Sequence, residues 1–239
     1  MQSAGASPTS RVRLLLAAVV ALAALAPTAP AAAPPAARMP AAGELVRPQV
    51  IVRAAPSAGA RAIAVVHEFR PDYRKHIVHA REVRKDGRGR LWYRIVLVGR
   101  PNGRTGWIPA AQAELQPTRA EIVISRSERT LRLSVDGRER MRTTVAVGKA
   151  GAPTPVGYFY VTSRFTPRNS FLGVFALELS AYSPTLTDWP GGGVVGIHGT
   201  SRPELLGQAV SHGCVRVSNA AVRVLQRFAP VGTPVRILP

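Results

Sequence analysis

From Glu44 to Leu238 the chain is a succession of short β-rich runs, each closed by Gly, Pro, Asn or Asp, and only one stretch carries a helical pattern. Gln49–Val52 and Ala62–Val66 are separated by the turn-forming Ala55-Pro56-Ser57-Ala58-Gly59, and Leu91–Val96 runs into the turn cluster 101–106 before Trp107-Ile108-Pro109. Strands this short, at this spacing, predict a small all-β barrel over 44–116. Pro117-Thr118 interrupts the pattern, and Glu121–Ser125 starts a second set of strands. Leu131, Leu133 and Val135 alternate with Arg132 and Ser134, the period-two signature of a half-buried strand. Asp136-Gly137 is a two-residue hairpin signal, with Met141–Val147 as the returning strand. Thr154–Gly157 turns the chain into Tyr158–Val161, and Tyr182–Gly193 reads as a long loop of the kind that covers a site. Ser218 is placed to cap a helix reaching about Phe228, with Ala221, Leu225 and Phe228 on one face, before Pro230 and Gly232 stop it. The expectation is a mostly β protein with one or two short helices.

Ahead of the strands the texture differs. Arg11 and Arg13 precede the apolar run Leu14–Leu25, and Ala29-Pro30-Ala31 offers a small-residue cleavage site, so residues 1–31 read as an export signal. The apolar run falls short of the ~20 residues that span a bilayer, although an uncleaved anchor is the competing reading. Residues 32–43, rich in Pro and Ala, read as a linker. The expected location is therefore the cell envelope, in the periplasm or on the outer wall face. The formal charge is +19, nearly all from Arg, since Lys occurs only at 75, 85 and 149. No basic helix or aromatic-studded sheet accompanies it, which excludes a nucleic-acid reading. An anionic wall polymer or membrane surface is the partner such charge attracts, and solubility alone explains it equally well. His67, His76 and His79 lack an acidic or thiolate companion, so neither a metal nor any other cofactor is implied.

The chemistry gathers at Cys214, the chain's one cysteine, in Ser211-His212-Gly213-Cys214-Val215-Arg216. An unpaired thiol in an exported chain suggests a nucleophile or an accident. Its base is His212, on the same face if the segment is extended, or His198 in Gly196-Ile197-His198-Gly199-Thr200. Gly213 lets the backbone approach a substrate and is expected to free the amides of Gly213 and Cys214 for a developing oxyanion.

Two resemblances follow. Trp92-Tyr93, a turn and Gly106-Trp107-Ile108 resemble bacterial SH3 domains over 44–116, which implies an SH3-like barrel that binds wall peptides or glycans, or positions its neighbour. Trp92 and Trp107 are expected in its core rather than on a ligand. Ile197-His198-Gly199-Thr200 with Val210–Arg216, joined by 145–149, 154–157 and 232–235, is similar to the YkuD-type L,D-transpeptidases over 119–239. That resemblance implies a β-sandwich or barrel in which Cys214 attacks the third residue of a peptidoglycan stem tetrapeptide and expels D-alanine. It makes His198 the base and acid, oriented by the Gly199 carbonyl, and His212 a supporting or oxyanion-side group. Ser211 and Arg216 become supporting residues. An amine on a second stem then resolves the thioester into a 3→3 cross-link. Water as acceptor (a carboxypeptidase or endopeptidase), a protein lysine, or a wall-binding module with a vestigial site are the alternatives left open, and oligomeric state is unread. The chain departs from the family at Ala221, where many members carry an acidic residue.

Overall fold

The computed structural model describes residues 38–187 and 191–239; the proposed export signal and the first half of the proposed linker lie outside them. Seven strands come first: β1 (Ala41–Leu45), β2 (Gln49–Arg53), β3 (Ala62–His67), β4 (Ile77–Lys85), β5 (Leu91–Val96), β6 (Thr105–Pro109) and β7 (Ala113–Pro117). They form one curled sheet in the order β3-β2-β6-β5-β4-β1-β7. Eight more make a second sheet: β8 (Ala120–Ser125), β9 (Thr130–Val135), β10 (Arg138–Thr144), β12 (Gly157–Phe165), β13 (Ala176–Tyr182), β14 (Val194–His198), β16 (Val215–Arg216) and β17 (Pro234–Leu238). Their order is β10-β9-β8-β17-β12-β13-β14-β16, while β11 (Val147–Gly148) and β15 (Ala209–Ser211) pair separately. Among the described residues there is one α-helix, α1 (Asn219–Phe228), with three single 3₁₀ turns. The protein is mostly β, as its sequence implies, and no helix among the described residues is long and apolar enough to cross a membrane.

Local chemistry explains much of this. Leu131 and Leu133 are fully buried while Arg132 and Ser134 are not, and Asp136 (φ 51°) with Gly137 (φ 75°) makes the tight turn that sets Arg138 opposite Val135. Ser218 Oγ accepts from Ala221 N at the head of α1, and Ala221, Val222 and Leu225 bury its inner face. Trp92 and Trp107 are both buried, and Trp92 Nε1 donates to Asp86 Oδ2 at 3.0 Å.

One reading of the sequence is corrected. Ala41-Ala42-Gly43, assigned to the linker, lies in β1, which is flanked by β4 on one side and β7 on the other. A Cβ on Gly43 would stand 1.9 Å from the Glu114 carbonyl oxygen, so small residues here answer to close backbone approach rather than to flexibility.

The two sheets meet along a polar seam. His79 Nδ1 donates to the Gly232 carbonyl at 2.9 Å and its Nε2 accepts from the Tyr158 hydroxyl at 2.8 Å. The imidazole stacks on Tyr160, whose hydroxyl donates to the Ile77 carbonyl at 3.1 Å. With both ring nitrogens engaged, His79 is unavailable as a metal ligand. Farther along, Arg100 donates to the carbonyls of Ser183 (3.1 Å), Leu186 (2.9 Å) and Gly192 (2.9 Å), and Asn102 exchanges two hydrogen bonds with the Tyr182 backbone. The connection between β5 and β6 thus holds both ends of the loop after β13.

Candidate active site

Strand register brings the chemistry together. β14 and β16 are parallel neighbours with His198 opposite Arg216, and Cys214 stands two residues before Arg216. In extended chain those spacings put all three side chains on one face. They line one small cavity, about 60 Å³, whose walls include Phe171, Leu186 and Val195.

His198 is 3% exposed and its Nδ1 lies 2.6 Å from the Gly199 carbonyl oxygen. A carbonyl only accepts, so Nδ1 carries the proton and Nε2 keeps its lone pair. Among the described residues Nε2 has no hydrogen-bond partner. Burial, with a smaller push from the Arg216 charge, lowers the ring's pKa to about 4, so it is neutral near pH 7. Cys214 is half-buried; burial raises its thiol pKa, opposed by the Gly196 amide, which donates to Sγ at 3.4 Å, and by Arg216. A neutral thiol therefore faces the same cavity as a neutral imidazole.

The Ser-His-Gly-Cys turn is tied internally. Ser211, 1% exposed, accepts from the Gly213 amide at 3.1 Å and donates to the Cys214 carbonyl at 2.5 Å. This overturns part of the oxyanion expectation, because the Gly213 N–H is spent on Ser211. The Cys214 N–H makes no hydrogen bond among the described residues and is the amide left for an oxyanion. Gly213 takes φ 116°, a conformation L side chains rarely adopt, whereas a Cβ there would meet nothing closer than 3.7 Å. Backbone angle, not space, demands glycine at this position. His212 is exposed at the rim of the cavity.

Arg216 is 7% exposed, yet no hydrogen bond or ion pair reaches its side chain among the described residues, and its Nε is buried without a partner. Its guanidinium lies 4.8 Å from the centre of the Phe171 ring, which also stands beside His198. Arg216, expected as a supporting residue, thus lines the cavity without a side-chain hydrogen bond among the described residues. Sequence reasoning also missed Phe171, the Gly196 amide, and Asn219, whose Oδ1 accepts from Val174 N at 3.2 Å. Gly196 sat within the quoted His198 motif, whereas Phe171 and Asn219 belonged to no pattern.

Known proteins bear on this geometry. The family described as the L,D-transpeptidase catalytic domain, YkuD, matches residues 119–237. YqjB of Bacillus subtilis (strain 168), an L,D-transpeptidase by name, is 33% identical over 124 residues, covering 48% of this chain and 69% of YqjB. The chain belongs to the YkuD family of L,D-transpeptidase catalytic domains. YkuD of the same organism is 36% identical over 116 residues, covering 48% of this chain and 64% of YkuD's own length. A crystal structure of an L,D-transpeptidase from Mycobacterium tuberculosis H37Rv is 17% identical, with a TM-score of 0.46, covering 69% of this chain and 90% of that one. Membership rests on the sequence relatives and not on this distant structure. Cys214, His198 and Arg216 all fall inside the segment that matches the YkuD family.

Proposed function

We propose that the protein is an exported peptidoglycan L,D-transpeptidase that forms 3→3 cross-links through an acyl-enzyme on Cys214. The observation that carries this reading is the neutral, Nδ1-anchored His198 facing the same cavity as Cys214. His198 Nε2 takes the thiol proton as Sγ attacks the carbonyl carbon of the third stem residue. The oxyanion forms against the Cys214 N–H, a donor of a kind typically worth ~10²–10³ in rate. Collapse breaks the peptide bond, and the imidazolium returns its proton to the departing D-alanine amine. An amine from a second stem attacks the thioester, transfers its proton to His198 and releases Cys214. His212, at the rim, is assigned a supporting role on the oxyanion side. The SH3-like reading of residues 44–116 and export by residues 1–31 belong to the same proposal.

Incubation with a disaccharide carrying a tetrapeptide stem, followed by mass spectrometry of the products, tests it. A dimer joined between third residues is expected. Tripeptide monomer alone would assign the protein to hydrolysis instead, and no product at all would refute acyl transfer from this stem.

A further inference from the structure

A guanidinium withdrawn from water without a counter-ion is among the least comfortable arrangements a fold can hold. Arg216 is in that position: it is 7% exposed, its Nε is orphaned, and among the described residues it makes no ion pair and has the Phe171 ring 4.8 Å from its guanidinium. Arg164, also with an orphaned Nε, at least donates from Nη2 to the Gln226 carbonyl. Arg216 lacks even that, and it lines the cavity of Cys214 and His198. An uncompensated charge built into a reaction cavity calls for an anion that arrives with the ligand.

We propose that Arg216 binds the free C-terminal carboxylate of the stem peptide that Cys214 cleaves. The proposal deepens the acyl-transfer reading above and rests on it. In a tetrapeptide cleaved at its third residue, the carboxylate nearest the broken bond belongs to the departing terminal residue. Register places Arg216 two residues from the nucleophile and opposite the base, and its side chain lines the cavity in which the thiol attacks. A guanidinium fork matches a carboxylate in plane, and the apolar wall of Phe171, Leu186 and Val195 strengthens the pairing by excluding water. The consequence is selectivity: stems ending in a free carboxylate are donors, and stems whose terminus is blocked or extended are not.

The test compares a tetrapeptide stem bearing a free C-terminal acid with the same stem as its C-terminal amide. Wild-type kcat/KM should favour the acid by about tenfold or more, the size of a charge-assisted hydrogen bond. Arg216→Gln and Arg216→Met should bring that ratio close to one, with Arg216→Lys between. Because Arg216 has no hydrogen bond or ion pair of its side chain to lose among the described residues, and methionine can still pack on the Phe171 ring, Arg216→Met should melt at or above the wild-type temperature. If Arg216→Met does not fold, the acid-to-amide ratio of Arg216→Lys decides. A wild type that uses acid and amide alike overturns the proposal, as does an unchanged ratio in the variants. If Arg216 served only to stabilise the thiolate, both substrates would decline together and the pH profile of Cys214 alkylation by iodoacetamide would shift, which also overturns it. Equilibrium binding of the two peptides to Cys214→Ala protein separates the proposal from the reaction. Arg216-dependent preference for the acid without any wild-type turnover would sustain the carboxylate site and sink the acyl-transfer reading, whereas equal binding sinks the site.

Discussion

His79 and His198 are near twins in burial and electrostatics, 0% and 3% exposed, with Nδ1 donating to a backbone carbonyl in each and both pKa values lowered to about 4 by burial. Their Nε2 atoms differ. That of His79 accepts from the Tyr158 hydroxyl and closes a seam, whereas that of His198 has no partner among the described residues and its ring lines a cavity with a thiol. A depressed pKa therefore does not distinguish a base from a structural pin. The lone pair left open toward a nucleophile does.

The largest expected effect comes from removing what only one of the two histidines faces. Cys214→Ala should abolish product formation while leaving the melting temperature near wild type. Next is His198→Gln, expected to lower kcat by about 10²–10⁴-fold with an unchanged fold. Its residual rate should rise with pH toward the thiol's own ionisation, because no imidazole remains to take the proton. His79→Gln should do the reverse: a loss of about 1–3 kcal/mol in stability, read by denaturant unfolding, with kcat changed only a few-fold. A large kcat loss without destabilisation in His79→Gln would erase the distinction between the two sites. Smaller still, Arg100→Ala should reduce kcat/KM by up to about tenfold by loosening the loop that carries Ser183, Leu186 and Gly193.

Acid gives a further separation. Both imidazoles titrate near 6.5 when unfolded and near 4 when folded, so below pH 6.5 the unfolded state binds more protons. Their stabilising contribution is complete above pH 6.5 and is lost progressively as the pH falls toward 4. Melting temperature should decline over that window, and His79→Gln should flatten the decline. Acyl transfer, governed by His198, should keep its neutral base until the pH nears 4.

Much of this was legible in the sequence where the determinants are local. Alternation at Leu131–Val135, the Asp136-Gly137 turn and the Ser218 cap each express a preference within a few residues, and each appears in the structure. What stayed hidden depends on distant partners. Ala41–Gly43 read as linker because its small residues answer to the backbone of β7, more than seventy positions away. The Gly213 amide was expected in the cavity, but a serine two residues earlier claims it, a competition that the motif does not express. His79 looked like part of a weak metal pattern, since its real partner, the Gly232 carbonyl, lies 153 residues on.

The most direct measurement is intact-protein mass spectrometry of wild type, His198→Gln and His79→Gln after brief exposure to a tetrapeptide stem. Wild type and His79→Gln should each gain the mass of one stem shortened by its terminal residue, located on Cys214, while His198→Gln stays unmodified over the same interval. An adduct that forms on His198→Gln at the wild-type rate, or on a residue other than Cys214, would contradict the account.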